Sequence, residues 1–171
     1  TLFRSDPDRP GFSVQSGEAR SRGIELEARA SITEQLDVIG AYTYLDTEYT
    51  KDNDGREGFR LAAIPRHQAS GWAMYRMPEG SALEGLSLGG GVRFTGSTVN
   101  SANTFKVPSF TLVDAAVSYD LEALFPKLAG AEVSINAKNI FNKEYVASCY
   151  FGEWCAYGFE RTVTAGLRYR W

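Results

Sequence analysis

The sequence predicts an all-β fold, and within that class the wall of a transmembrane antiparallel β-barrel. Apolar and polar residues alternate with a period of two along most of the chain, which is typical of strands with two unlike faces. Several predicted strands reach the ~9–11 residues that a tilted strand needs to cross a bilayer. Small residues such as Ala28, Ala115 and Ala165 on the apolar faces are tolerated by lipid, but they would leave the core of a soluble sandwich thin. The sandwich is the alternative fold.

Length, composition and net charge limit the class of protein further. The 171 residues suffice for one domain or a piece of one, and the start at Thr1, without Met or a signal segment, indicates a fragment boundary or a processed end. The chain is 13% aromatic, yet its mean hydropathy is -0.27. No apolar run approaches the ~18 residues of a membrane helix, which excludes a helical membrane protein. The net charge of -3 argues against a nucleic-acid partner.

Seven strands are predicted from the alternation. The first has apolar residues at the even positions, with Glu25, Glu27 and Arg29 on the other face. The second carries apolar residues on both faces, and the third leaves the face of Trp72 undecided. The last four alternate regularly. In chain order the strands are Ile24 to Ile32, Leu36 to Tyr49, Arg66 to Met77, Leu86 to Thr95, Val113 to Leu121, Glu132 to Lys138 and Thr162 to Trp171.

The connections between these strands also alternate in character. Those after the first, third and fifth strands are turns or compact linkers, at 33–35, 78–84 and 122–130. Those after the second, fourth and sixth are polar or aromatic loops, at 46–64, 99–108 and 145–158. An outer-membrane barrel has short periplasmic turns and longer external loops, so the last strand should descend towards the periplasm. Aromatic residues at strand ends, such as Tyr169 and Trp171, suit its interfacial girdle.

The two cysteines, Cys149 and Cys155, point to an oxidising compartment. Their spacing fits neither a zinc ribbon nor a redox C-x-x-C motif, and the single histidine, His67, is distant. Two interpretations are open: a pair of free thiols, or a local disulfide that closes a short loop.

Three motifs that could carry chemistry fail on their context. The run from Gly85 to Gly89 matches G-x-S-x-G, but a nucleophile elbow needs a strand, a turn and a helix, whereas this strand continues. The loop at Asp52 lacks the glutamate that a calcium site requires at its twelfth position, where Leu61 stands. His67 is interpreted as a structural or interfacial residue. The sequence thus carries no enzyme signature.

The C-terminal part resembles a known family. Residues Asn139-Ile140-Phe141-Asn142-Lys143-Glu144-Tyr145 are similar to the N-[LI]-F-[DN]-x-x-Y segment of TonB-dependent outer-membrane receptors. Further matches are the segments at 21–27 and 64–67 and the terminal Trp171. The Cys149 to Cys155 loop with Tyr157-Gly158 looks like the last external loop of the ferrichrome- and ferrioxamine-type siderophore receptors.

This resemblance implies the architecture. Residues 1–171 would be the C-terminal portion of the barrel, about the last seven strands of 22, and the plug domain that closes the lumen would be absent from this chain. The protein would lie in the bacterial outer membrane and import ferric siderophores of the hydroxamate type, energised through the TonB complex. Its other partners would be outer-membrane lipid and, through Trp171, the barrel assembly machinery. No cofactor is expected.

The resemblance also implies ligand-binding residues. A hydroxamate ferric siderophore is a compact, largely neutral complex, and aromatic faces with a few hydrogen-bond donors suit it. The aromatic residue directly after the first loop cysteine contacts ligand in the ferrichrome-type family, and Tyr150 holds that position. Phe151, Trp154 and Tyr157 are further candidates, although such aromatics can also serve only to pack the loop. Cys149 and Cys155 would form the disulfide that tethers them.

Other functions remain as alternatives at this point. They are a TonB-dependent receptor for haem, cobalamin or another chelate, a passive outer-membrane barrel, and a soluble β-sandwich binding module. Strand parity adds one hypothesis. It places a row of charged residues on one polar face that would partly contact the plug: Glu25, Glu27, Arg29, Arg93 and Arg168.

Overall fold

The computed structural model describes residues 2–6, 8–150 and 154–171, and these form an all-β structure. Their only helical elements are one-turn 3₁₀ segments at Leu121–Ala123 and Pro126–Leu128. Among these residues no helix is long and apolar enough to cross a membrane. The strands are β1 Leu2–Ser5, β2 Ser13–Ser31, β3 Leu36–Asp52, β4 His67–Arg76, β5 Leu86–Thr95, β6 Thr98–Val99, β7 Lys106–Val107, β8 Phe110–Asp120, β9 Ala131–Lys138, β10 Val146–Cys149, β11 Cys155–Tyr157 and β12 Thr162–Tyr169.

Eight strands form one antiparallel sheet in the order β1-β2-β3-β4-β5-β8-β9-β12. Strands that are adjacent along the chain are therefore adjacent in the sheet, apart from two short hairpins inserted in the connections. One hairpin is β6-β7 and the other is β10-β11. The seven predicted strands correspond to β2, β3, β4, β5, β8, β9 and β12, which confirms the predicted all-β antiparallel fold class.

Two boundaries were predicted wrongly. The first strand was expected from Ile24 to Ile32, whereas β2 begins at Ser13, and the first part of the loop expected at 46–64, residues 46–52, is the second half of β3. These halves pair into a ribbon that is polar on both faces, so apolar alternation could not reveal it. Cross-strand ion pairs join Arg20 to Glu48 and Lys51 to Glu18 along the ribbon. The short β1, which pairs with β2, was not predicted.

The register resolves which residues share a face. Leu26 pairs with Tyr42, and the apolar residues of the other strands stay in line across the sheet to Leu167. This apolar face is contributed by Ile24, Leu26, Val38, Tyr42, Ala69, Tyr75, Leu88, Val92, Val117, Ile135, Val163 and Leu167. The opposite, polar face carries Glu25, Glu27, Arg29, Arg93 and Arg168, on the single face that strand parity predicted.

Trp72 lies on the polar face and explains the glycines beside it. A Cβ at Gly89 would stand 2.5 Å from the Trp72 ring, and a Cβ at Gly91 would stand 2.5 Å from the same ring. Gly90, on the other face, has open space. The glycines therefore make room for a flat indole, and Ser87 lies inside the uninterrupted strand β5 rather than on a nucleophile elbow.

Candidate functional site

Three long connections meet at one end of the sheet, and we call them the loop cluster: residues 53–66, 96–109 and 139–161, as far as they are described. The opposite end has only the connections 32–35, 77–85 and 121–130. This is the alternation that the sequence predicted. The candidate ligand-binding residues all belong to the third connection of the loop cluster.

Asn139 organises the base of that connection. Its side chain is almost completely buried, at 3% exposure, and its backbone adopts the left-handed conformation with φ of 51°. The carboxamide donates to the carbonyls of Lys143 (2.9 Å) and Phe159 (3.2 Å) and accepts from the Lys143 amide (2.9 Å). One side chain thus joins the two ends of the connection, which gives the N-x-F motif a structural role.

A partly exposed ion pair ties this base to the sheet: the Arg93 side chain is 47% exposed and the Asp114 side chain 14%. Arg93 donates to both carboxylate oxygens of Asp114 on the neighbouring strand, and Oδ1 of Asp114 also accepts from the Asn139 amide at 2.9 Å. Bidentate pairs of this kind fix geometry as well as charge. The third connection is therefore anchored to β5 and β8 through a neutralised pair of charges.

Tyr145 supports the hairpin above that base. Its ring lies 4.2 Å from the Phe110 ring, centroid to centroid, and a Cβ on Gly158 would fall within 2 Å of it (1.9 Å). The Gly158 amide donates to the Tyr145 carbonyl at 2.8 Å. On the polar face of the sheet next to Tyr145 is an open cavity of about 370 Å³, whose lining includes Leu112 and Lys138.

The hairpin β10-β11 carries the predicted site residues. Cys149 and Cys155 form the predicted disulfide, and Cys149 is 2% exposed. Tyr150, Trp154 and Tyr157 are 54%, 84% and 80% exposed, so their rings are accessible at the tip of the loop cluster. Their roles in binding stay a prediction. Phe151, the remaining candidate, lies outside the described residues.

The sequence did not reveal the polar contacts that close the middle connection and join it to the first. Asn100 is 1% exposed, and its carboxamide accepts from Thr104 N and donates to Thr104 Oγ1, both at 2.9 Å. Asn103, at φ of 52°, accepts from the Arg60 amide and donates to the Arg60 carbonyl, both at 3.0 Å. Asparagines in a short polar segment suggest turns. No pattern in the sequence predicts the contact between Asn103 and Arg60, which are 43 residues apart.

Two arginines of the first connection have contrasting surroundings. The hydrogen bond to the Asp52 carboxylate raises the pKa of Arg56, and that carboxylate also accepts from the Asp54 amide at 2.7 Å. This loop is thus closed by its own side chains. Burial lowers the pKa of Arg60, with Arg66 adding to the effect and Asp46 opposing it.

His67 lies at the boundary between the apolar face and the loop cluster. Its Nδ1 is 2.8 Å from the Tyr42 hydroxyl, and the ring centroids of Tyr44 and His67 are 5.2 Å apart. Tyr42 and Tyr44 share the apolar face with it by register. This aromatic group is typical of the girdle where a barrel meets the membrane–water interface.

These features match a known family along most of the chain. Residues 2–140 match the family described as TonB dependent receptor-like, beta-barrel. The chain belongs to this family. Its location is the bacterial outer membrane, and both the predicted family and the predicted location are confirmed. Members of the family are transporters and receptors rather than enzymes.

Two curated relatives are similar over nearly the whole chain. The ferrichrome outer membrane transporter/phage receptor of Escherichia coli strain K12 is 46% identical over 167 residues, which is 97% of this chain and 22% of that protein. The ferrioxamine receptor of Yersinia enterocolitica is 40% identical over 159 residues, 92% of this chain and 22% of that protein. The chain thus spans about a fifth of the length of these relatives.

A solved structure agrees with the fold. BauA, the ferric preacinetobactin receptor from Acinetobacter baumannii, superposes with a TM-score of 0.75 at 29% identity, covering 98% of this chain and 25% of that one. A barrel of this kind has an apolar outer surface, a polar lumen and longer external loops. The apolar face, the polar face and the loop cluster of this sheet resemble that arrangement.

Proposed function

We propose that the protein imports ferric siderophores, of the hydroxamate type, as a TonB-dependent receptor of which residues 1–171 are the C-terminal portion of the barrel. The observation that carries this proposal is the disulfide-closed hairpin, which holds Tyr150, Trp154 and Tyr157 exposed at the outer end of the wall. Two relatives with similarity along the chain are named for ferrichrome and ferrioxamine, both hydroxamate chelates. Phe151 belongs to the same proposed site.

The hairpin suits such a ligand physically. Aromatic faces give large contact areas at low cost in conformational entropy, and a covalent tether reduces the freedom that is lost on binding. At the base of the third connection, Arg93 and Asp114 neutralise each other. A largely neutral ferric trihydroxamate therefore fits better than a chelate with several negative charges, which would need unpaired cations.

The remaining parts of the transport system contact other surfaces. We propose that Glu25, Glu27, Arg29, Arg93 and Arg168, which line the lumen, partly contact the plug domain. Energy would come from the TonB complex acting on that plug. Trp171 would engage the barrel assembly machinery, and the apolar face would contact outer-membrane lipid. No cofactor and no nucleic acid takes part in this proposal.

The proposal is tested by titrating the receptor in outer-membrane vesicles with a ferric trihydroxamate. Tyr150→Ala should weaken binding about tenfold, because one aromatic contact in a desolvated site contributes ~1–2 kcal/mol. Tyr169→Ala is the matched control. Tyr169 is as exposed as Tyr150, at 56%, but it lies at the end of β12 that is far from the loop cluster.

The outcomes separate the alternatives. Unchanged affinity in Tyr150→Ala would remove this residue from the site. A wild-type receptor that takes up haem or cobalamin but no ferric trihydroxamate would move the proposal to another chelate. Uptake that persists without TonB would indicate a passive barrel.

A further inference from the structure

The residue that we add to the site lies outside the disulfide hairpin, in the middle connection of the loop cluster. We propose that Asn103 is a positioning residue, which fixes the ligand-binding Tyr150 by locking residues 96–109 to residues 53–66. The inference rests on the proposed function for its ligand, but its structural part can be tested without one.

The first step is the contact between the middle connection and the hairpin. The Ser101 amide donates to the Tyr150 carbonyl at 2.9 Å, and the Tyr150 amide donates to the Trp154 carbonyl at 3.1 Å. Both backbone groups of Tyr150 are therefore held, one by its own hairpin and one by a neighbouring connection. The position of Ser101 sets how the Tyr150 ring is presented, since two such bonds fix the local backbone.

The second step is the turn that positions Ser101. Asn100 precedes it, is buried, and accepts from the amides of Thr104 (2.9 Å) and Phe105 (3.4 Å). Asn103 closes the same turn: its amide donates to the Asn100 carbonyl at 3.0 Å, and its side chain donates to that carbonyl at 3.3 Å. The turn is thus closed by the side chains of two asparagines.

The third step is the lock to the first connection. The Asn103 carboxamide pairs with both backbone groups of Arg60, each at 3.0 Å, as a neighbouring strand would. The Ala63 amide adds a bond to the Val99 carbonyl at 3.0 Å. Arg60 is partly buried, so these groups cannot exchange their partner freely for water. The order of residues 53–66 therefore depends on Asn103, and so does the position of Tyr150.

The variant that tests this step is Asn103→Gly, which keeps the left-handed backbone accessible and removes only the carboxamide. Asn53→Gly is the matched control, because Asn53 is an exposed asparagine of the first connection. In outer-membrane vesicles, Asn103→Gly should weaken the binding of a ferric trihydroxamate about tenfold, whereas Asn53→Gly should leave it unchanged.

A double-mutant cycle distinguishes positioning from general loosening. If Asn103 acts through Tyr150, then Asn103→Gly should change affinity by no more than about twofold in a Tyr150→Ala receptor. An equal, tenfold effect in both backgrounds would overturn the proposal. Normal heat-dependent gel mobility of each variant would show that the barrel has folded.

Hydrogen exchange supplies the ligand-free measurement. Asn103→Gly should raise exchange at the Ser101 and Tyr150 amides about tenfold or more, and Asn53→Gly should not. Unchanged exchange would overturn the proposal whatever the ligand proves to be. A receptor that binds no ferric trihydroxamate, but shows the expected exchange, would refute the proposed function while leaving the positioning role of Asn103 in place.

Discussion

The chain reverses direction at both ends of the sheet, but the hydrogen bonds that hold the connections differ between the two ends. At the turn end, each connection is closed by its own residues: Thr33 accepts from the amides of Gln35 and Leu36, and Asp120 accepts from Glu122. At the loop end, the connections are also bonded to one another: the Ser101 amide donates to the Tyr150 carbonyl, and the half-buried Asn103 reaches the first connection. Asn103, for example, pairs with Arg60.

The difference shows what each end is built to hold. A short turn has only to keep two strands in register, and exposed local bonds suffice for that. A binding surface has to hold side chains from distant segments in fixed relative positions, which needs long-range bonds shielded from water. The loop end should therefore be the more sensitive to loss of a single polar side chain.

The largest effect is expected for Asn139→Ala. The substitution removes three hydrogen bonds in a buried site and places alanine at φ of 51°, so it should destabilise the base of the third connection by about 3 kcal/mol. Exchange of the Lys143 amide measures this local opening. Asn139→Gly removes the backbone strain of alanine at this φ but also lacks the carboxamide, so it should recover only a small part of the lost stability. Full recovery would mean that the buried carboxamide contributes little to stability.

The stability of the sheet between the two ends should depend on the size of side chains rather than on single hydrogen bonds. Gly91→Ala brings a methyl group within 2.5 Å of the Gly71 carbonyl and the Trp72 ring, and should lower the free energy of unfolding by about 2 kcal/mol. Gly90→Ala, one residue away on the open face, should leave it nearly unchanged. Denaturant titration in detergent compares the two; equal effects would contradict the position of Trp72 on the polar face.

The same differences explain which parts of the structure could be predicted from the sequence and which could not. Alternation predicted the strands of the sheet because one face is apolar and the other polar. It could not detect the ribbon around Arg20 and Glu48, where both faces are polar, nor the exact start of β2. The Cys149–Cys155 hairpin was found because its motif is contiguous. The contact of Asn103 with Arg60 was missed because it is set by the packing of loops, which leaves no local pattern.

The smallest effect is expected at the turn end, for Thr33→Ala. The hydroxyl accepts from Gln35 N at 3.2 Å and from Leu36 N at 3.0 Å, but the site is exposed and water can replace it. We expect a loss of ~0.5–1 kcal/mol in the free energy of unfolding and no change in the affinity for a ferric trihydroxamate. Thr33→Ser should restore stability. A loss of affinity in Thr33→Ala would break the comparison, because it would mean that the turn end also holds the binding surface in place.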